Sequence, residues 1–381
     1  MASSQSAQVA VAPSPVVAAT TPHAPDGVNP FAGAGFYVNP DYAHTVEGLA
    51  GKHPDQPGLK KLASLPAAVW FDSISKAGTA SRYLDDALRQ QTSGGSPVVP
   101  VFVIYDLPNR DCDAKASNGE LTVQDGGEGR YQHAYIDVIA AQIQAHASQT
   151  IVAVLEPDSL ANLATNLENP KCAAAEAVYR RGLAYAIAKL SLPNVFLYLD
   201  AAHAGWLGWG KNLPKIAAIF RDVLAAAGGP DRIRGFAVNV SNYDPVKDEK
   251  GKRNQPWEPG PDELTYVSDL EQALAKVGIT GKGYLIDTSR NGRAGVRSAS
   301  ANWCNIKGAG LGERPRAAPA PSIDAYVWIK IPGESDGTAD STAARFDPNC
   351  ASEDAAPGAP EAGQLFESYL LDLVKNANPP L

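Results

Sequence analysis

The chain has 381 residues, 44% of them hydrophobic and only 19% charged, enough apolar side chain for a large core. Its 33 Lys and Arg stand against 41 Asp and Glu, a formal charge of −8, with no basic run to neutralise a phosphate backbone, so nucleic acid is not an expected partner. No apolar stretch approaches the roughly 18 residues of a membrane span, so no membrane association is expected either.

Residues 1–29 are rich in Ala, Ser, Pro and Val, lack a basic start and are broken by Pro13 and Pro15. They read as a flexible leader or linker remnant rather than a signal peptide, ahead of one domain over 30–381. From about residue 66 a short apolar strand, a polar loop and a helix-length segment recur. The strands read from the sequence are Ala67–Phe71, Val98–Tyr105, Ile151–Leu155, Val195–Leu199, Gly235–Val240, Gly283–Ile286 and Ala325–Ile331. Their continuous, non-alternating apolarity fits strands buried on both faces of a parallel sheet.

Helices are expected over Tyr131–Ala147, Ala173–Leu190, Asn212–Ala227, Asp262–Val277 and Glu361–Lys375. In the first, Tyr135, Ile136, Ile139 and Ile143 recur at three and four, as a core-facing stripe does. Strand and helix alternate without a composition break, which argues for one α/β domain. A barrel and an open doubly wound sheet both fit seven strands. No GxGxxG or GxxxxGKS/T follows a strand, so no nucleotide cofactor is expected.

Four cysteines, Cys112, Cys172, Cys304 and Cys350, lie far apart with no CxxC pair, which argues against zinc. Two disulfides in any of three connectivities would fit a secreted protein; four buried thiols are the alternative. The sequon at Asn239 sits inside a strand-like run and is expected to be unused.

The strand ends carry the chemistry. They run into Tyr105, Asp106 and Asp111; Glu156 and Asp158; Asp200 and His203; Asn239, Asn242 and Asp244; Asp287 and Arg290; and Lys330, Glu334 and Asp336. In a parallel α/β fold these ends share one face, where active sites are built. Any single Asp here reads more readily as a helix cap or turn residue than as a functional one, Asp262 and Asp287 above all. Capping does not explain why Trp70, Trp206, Trp209 and Trp303 gather at the same ends. Indole faces with carboxylates, amides and a histidine describe a carbohydrate cleft. Acidic ends also suit Mg²⁺ or Ca²⁺, but Lys330, Arg290 and the tryptophans in those loops argue against a metal. Glycoside hydrolysis needs two carboxyls of divergent pKa, and Asp158, at the rim of an apolar strand with Asp111 one strand away, suits the protonated one.

The segments YDLPNRDCDAKASNGE (105–120), LEPDSLANLATNL (155–167), YLDAAHAGWLGW (198–209), NVSNYDP (239–245) and WIKIPGESDGTADSTAARFDPNC (328–350) resemble glycoside hydrolase family 6, the fungal cellobiohydrolase II group. The resemblance covers about residues 30 to 381. It implies a distorted seven-stranded β/α barrel and inverting hydrolysis of β-1,4-glucan, with cellulose and cello-oligosaccharides as partners. By motif, Asp158 is the general acid, Asp111 raises its pKa, Tyr105 crowds the sugar at the scissile position and Ser117 grips the water. Asp336 is the candidate base, with a water relay toward Asp111 as the competing account. Substrate binding falls to Trp70, Asp72, Asp200, His203, Trp206, Trp209, Asn242, Trp303, Lys330 and Glu334. The resemblance pairs Cys112 with Cys172 and Cys304 with Cys350, and implies a secreted, monomeric enzyme without cofactor or metal.

The sequence departs from the commoner pattern in places: AAHAGW replaces AGHAGW, and GESDG replaces GECDG. Neither change removes a catalytic group, but Ala202 is expected to alter the loop near His203. The stretches 106–129 and 330–364 are full length, which favours a cellobiohydrolase tunnel over an endoglucanase cleft.

Overall fold

The computed structural model describes residues 23–25, 27–248, 251, 259–299 and 301–381. Most of the expected leader, residues 1–22 and 26, lies outside them. Among the described residues seven parallel strands pair in chain order: β1 (Val69–Phe71), β2 (Val101–Ile104), β3 (Ile151–Leu155), β4 (Val195–Asp200), β5 (Gly235–Val238), β6 (Gly283–Asp287) and β7 (Ile323–Val327). An eighth strand, Arg316–Ala320, runs antiparallel along the outer edge of β7 and was not expected. Its sequence, RAAPA, has little of the β-branched character that marks a strand.

The sheet curls until its ends meet. At the seam the Ala68 N–H donates to the Trp328 carbonyl at 2.9 Å, and Trp70 Nε1–H to the Ile329 carbonyl at 2.8 Å. These two bonds stand where a ladder would close a regular barrel. Of the two architectures left open by the strand count, the chain adopts the distorted barrel.

Side chains alternate across each strand, and both faces are apolar. Val101, Val103, Val152, Val154, Phe196, Tyr198, Leu285, Ala325 and Val327 fill the barrel. Phe102, Ile104, Ile151, Ala153, Leu155, Leu197 and Leu199 pack outward on the helices. That double burial explains the unbroken hydrophobic runs in the sequence. Helices Pro40–Lys52 and Glu367–Lys375 meet in a second cluster around Val46, Leu49, Leu370 and Leu373.

Several boundaries differ from expectation for local reasons. The Val98–Tyr105 run is split at Pro100, which has no N–H for a ladder; Val98–Val99 instead pairs with Gly35–Phe36. The last parallel strand begins at Ile323 and ends at Val327, four residues earlier than read. The C-terminal helix starts at Glu367, not Glu361. The Tyr131–Ala147 helix opens with a π-helical stretch, Tyr131–Ile136, before regular α-helix over Asp137–Gln144. The pairs Cys112–Cys172 and Cys304–Cys350 are bonded as the resemblance implied, with Cα separations of 4.9 and 5.0 Å.

Candidate active site

The C-terminal strand ends open onto a cavity of about 1450 Å³, larger than the roughly 300–1,000 Å³ of an ordinary small-molecule pocket. Its walls include Trp70, Asp72, Tyr105, Asp111, Ser117, Asp158, His203, Trp206, Trp209, Asn242, Trp303, Lys330, Glu334 and Asp336. Asp200 does not reach the wall. It lies buried beneath Asp158, and its Oδ2 accepts from the Asp158 N–H at 3.0 Å and the Ala202 N–H at 3.2 Å.

The strand ends that carry these groups are backbone-strained. Asp111, Glu156, Asp158, Ala202, Asn239 and Ser241 all have φ between 45° and 65°, a region costly for any residue but glycine. Ala202 is the position where the commoner motif has glycine, and it holds the left-handed conformation (φ 50°) with its Cβ in place. Asp287 and Asn239 stitch the ends together. Asp287 accepts from the N–H groups of Ser241, Ser289, Ile329 and Lys330, at 2.8 to 3.2 Å. Asp287 is thus a brace between strand ends, whereas Asp262 caps a helix, accepting from Thr265 N–H at 2.8 Å, and also holds the preceding loop through Asp248 N–H at 3.0 Å. The Asn239 amide is fully buried and donates to the carbonyls of Asp287 and Asp244.

The carboxyls on this floor are unequal. Burial, together with the charges of Asp111, Asp200 and Asp336, pushes Asp158 well above the usual carboxylate range. Burial also raises Asp111, to about 6, opposed by the Lys171 ammonium and the Ser117 hydroxyl. Lys171 lies 3.5 Å from the Asp111 carbonyl, on the helix that also carries Cys172. Asp336 is buried too, yet Arg290 and Lys330 hold it below the usual range. Arg290 donates to both its oxygens at 2.9 and 2.7 Å, Lys330 Nζ lies at 3.2 Å, Tyr243 OH donates at 3.2 Å and Asn305 N–H at 2.8 Å.

Tyr105 is held from two sides. Trp70 meets it edge-on at 5.4 Å, and the Arg110 guanidinium lies 4.5 Å over its ring. Arg110 also donates to the carbonyls of Ser117, Asp72 and Tyr105 at 2.8, 2.5 and 2.6 Å, which fixes the loop between Tyr105 and Ser117. Neither Arg110 nor Lys171 is marked by the sequence reading; the position of Arg110 inside the acidic loop NRDCD is a signal for the first, and Lys171, in the first turn of its helix, carries none.

On the far side His203 Nδ1 bonds Asp244 at 2.8 Å, and Arg297 pairs with both Asp244 and Asn242. Despite burial, His203 and Arg297 hold Asp244 well below the carboxylate range. Ligand-type atoms of His203, Asp244 and Glu263 lie within 4.8 Å of one another, but Arg297 already neutralises the cluster. Trp206 is fixed by Thr165 at 2.9 Å, while Trp209 stays 37% exposed at the cavity mouth. The long loops 106–129 and 330–364 meet above the floor, where Asp347 Oδ2 accepts from the Lys115 and Ala116 N–H groups at 2.8 and 3.2 Å.

Residues 31–377 match the model of glycosyl hydrolases family 6. The chain belongs to that family. It is 42% identical over 360 residues to the 1,4-beta-D-glucan cellobiohydrolase C of Emericella nidulans, covering 92% of this chain and 79% of that one. It is 41% identical over 357 residues to exoglucanase 3 of Agaricus bisporus, covering 93% and 80%. Among solved structures, the catalytic core of the cellobiohydrolase Cel6A from Chaetomium thermophilum superposes with a TM-score of 0.88 at 38% identity, covering 92% of this chain and 99% of that one. Cellobiohydrolase II (Cel6A) from Humicola insolens, in complex with glucose and cellotetraose, gives 0.88 at 36% identity, covering 93% and 100%. The barrel of this family 6 hydrolase is therefore shared with enzymes that take up cello-oligosaccharides.

Proposed function

We propose that this family 6 hydrolase releases cellobiose from the non-reducing ends of cellulose chains by inverting cleavage of β-1,4 bonds, with Asp158 as general acid. The observation that carries the assignment is the crowding of Asp158 by Asp111, Asp200 and Asp336 on a buried floor, which pushes its carboxyl well above the usual carboxylate range and so suits it to hold a proton. In the reaction, water attacks the anomeric carbon as the glycosidic C–O bond breaks, and Asp158 delivers its proton to the departing oxygen. The water must lose a proton in turn. Asp336 is a poor acceptor, since two cations, a phenol and an amide already occupy its oxygens. Asp111, raised to about 6, is the better one, which favours a water relay toward it.

Tyr105 and Trp70 would bind sugar on one side of the scissile bond and His203, Trp206 and Trp209 on the other, with Asp72, Asn242, Trp303, Lys330 and Glu334 taking hydroxyls and ring faces from the walls. Asp200 acts from below, through its bond to Asp158. The chain over 30–381 is one catalytic domain. A monomer suffices, because a single chain walls the cavity, and the two disulfides support a secreted enzyme.

The test is Asp158→Asn, which keeps shape and removes the proton. Hydrolysis of cellotetraose should fall by about 10²–10⁴ while its binding stays within a few-fold. Undiminished hydrolysis would overturn the assignment.

A further inference from the structure

Among the buried carboxyls that the reaction above does not use, Glu156 lies nearest in sequence to the acid. Glu156 stands two residues before Asp158, 1% exposed and at positive φ (48°). Its backbone N–H still completes the sheet, donating to the Ile104 carbonyl at 2.8 Å, while its side chain reaches across to the end of β2. There Oε1 accepts from the Asp106 N–H and Oε2 from the Leu107 N–H, each at 3.2 Å. Those two amides open the loop that runs from Tyr105 to Asp111. The Glu156 carbonyl points the other way and accepts from the Ser159 hydroxyl at 2.6 Å, pinning the turn that presents Asp158. One residue thus grips both catalytic loops.

We propose that Glu156 is a positioning residue, whose carboxylate fixes the Asp111 loop relative to Asp158 by holding the Asp106 and Leu107 amides. The inference rests on the functional reading of Asp158 and Asp111 given above. Three features support it. The two oxygens meet two successive backbone donors, a fork that a carboxylate satisfies and an amide does not. The surroundings are closed: Tyr131 lies against the carboxyl, and both it and the neighbouring Asp106 are fully buried. Burial of so polar a group is costly in an α/β core and is otherwise unaccounted for by packing. Arg110 links the same network to the ring of Tyr105.

Glu156→Gln is isosteric but turns an amide NH₂ toward one of the two N–H donors, so the loop must shift. We expect kcat on cellotetraose to fall by about 10–100-fold, as for reacting groups displaced by an ångström, with KM within about threefold. Glu156→Asp, which withdraws both oxygens by one methylene, should show the same split and serves if the first variant does not fold. Rates are taken per folded molecule, well below each melting temperature. A folded variant with unchanged kcat and only a lower melting temperature would overturn the proposal. Asp158→Asn, measured alongside, separates this result from failure of the acid assignment: loss of rate there with full rate in the Glu156 variants condemns the positioning role alone.

Discussion

A single nitrogen of Arg290 grips both oxygens of Asp336, at 2.9 and 2.7 Å, in a site that leaves the arginine 2% exposed. The pair is buried, and removing Arg290 leaves Lys330, at 3.2 Å, to balance the Asp336 carboxylate without the arginine's two bonds. Arg290→Met should cost roughly 3–5 kcal/mol in a denaturant titration at neutral pH. Asp336 has its pKa depressed by the pair, so that stabilisation is present above the ordinary carboxylate range and lost as pH falls through the depressed value. The gap between wild type and variant should therefore narrow in acid. A loss below about 1 kcal/mol at neutral pH would mean the pair is no more than a surface bridge in effect.

The other buried carboxyls work in the opposite direction. Burial raises Asp106 to about 8, Glu156, Asp200 and Glu334 to about 7, and Asp111 to about 6. Each binds its proton more tightly folded than unfolded, so the native state holds more protons above pH ~4 and stability falls as pH rises. The melting temperature should decline steadily between about pH 5 and pH 8. A melting temperature that rises over that interval would show that these groups are ionised and well solvated in the folded protein.

Most of the barrel was legible because its strands are apolar on both faces, as Ile151–Leu155 shows without a residue of error. The strand Arg316–Ala320 was hidden because alanine and proline carry no strand signal. Pro100 marks the break in the second run, but six apolar neighbours give the whole run the look of one strand. The convergence of strand-end carboxylates followed from the parallel topology, and the family motifs supplied which of them to single out. What the sequence could not display is vertical order. Asp200 and Asp158 are both strand-end aspartates, yet only the latter faces the cavity, and the difference lies in a hydrogen bond between residues 42 apart. Arg110 was likewise invisible as a hub, because its partners are main-chain carbonyls.

Asp347 ties the two long loops over the floor through the amides of Lys115 and Ala116. Cutting that tie removes no group that lines the floor, though it also takes away one of the charges that raise Asp111. Asp347→Ala should raise the rate of viscosity loss on a soluble cellulose derivative relative to cellobiose release from insoluble cellulose, because the roof opens and admits internal chain segments. An unchanged ratio would show that the loops close the tunnel without this contact.

The central claim is that Asp158 hands a proton to the leaving oxygen while water, relieved of its own proton through the Asp111 side, enters from the opposite face of the sugar. Following cellotetraose hydrolysis by proton NMR tests this directly, because the new reducing end is seen before it mutarotates. The account predicts that the α-anomer forms first. Initial formation of the β-anomer would mean that configuration is retained, and would contradict it.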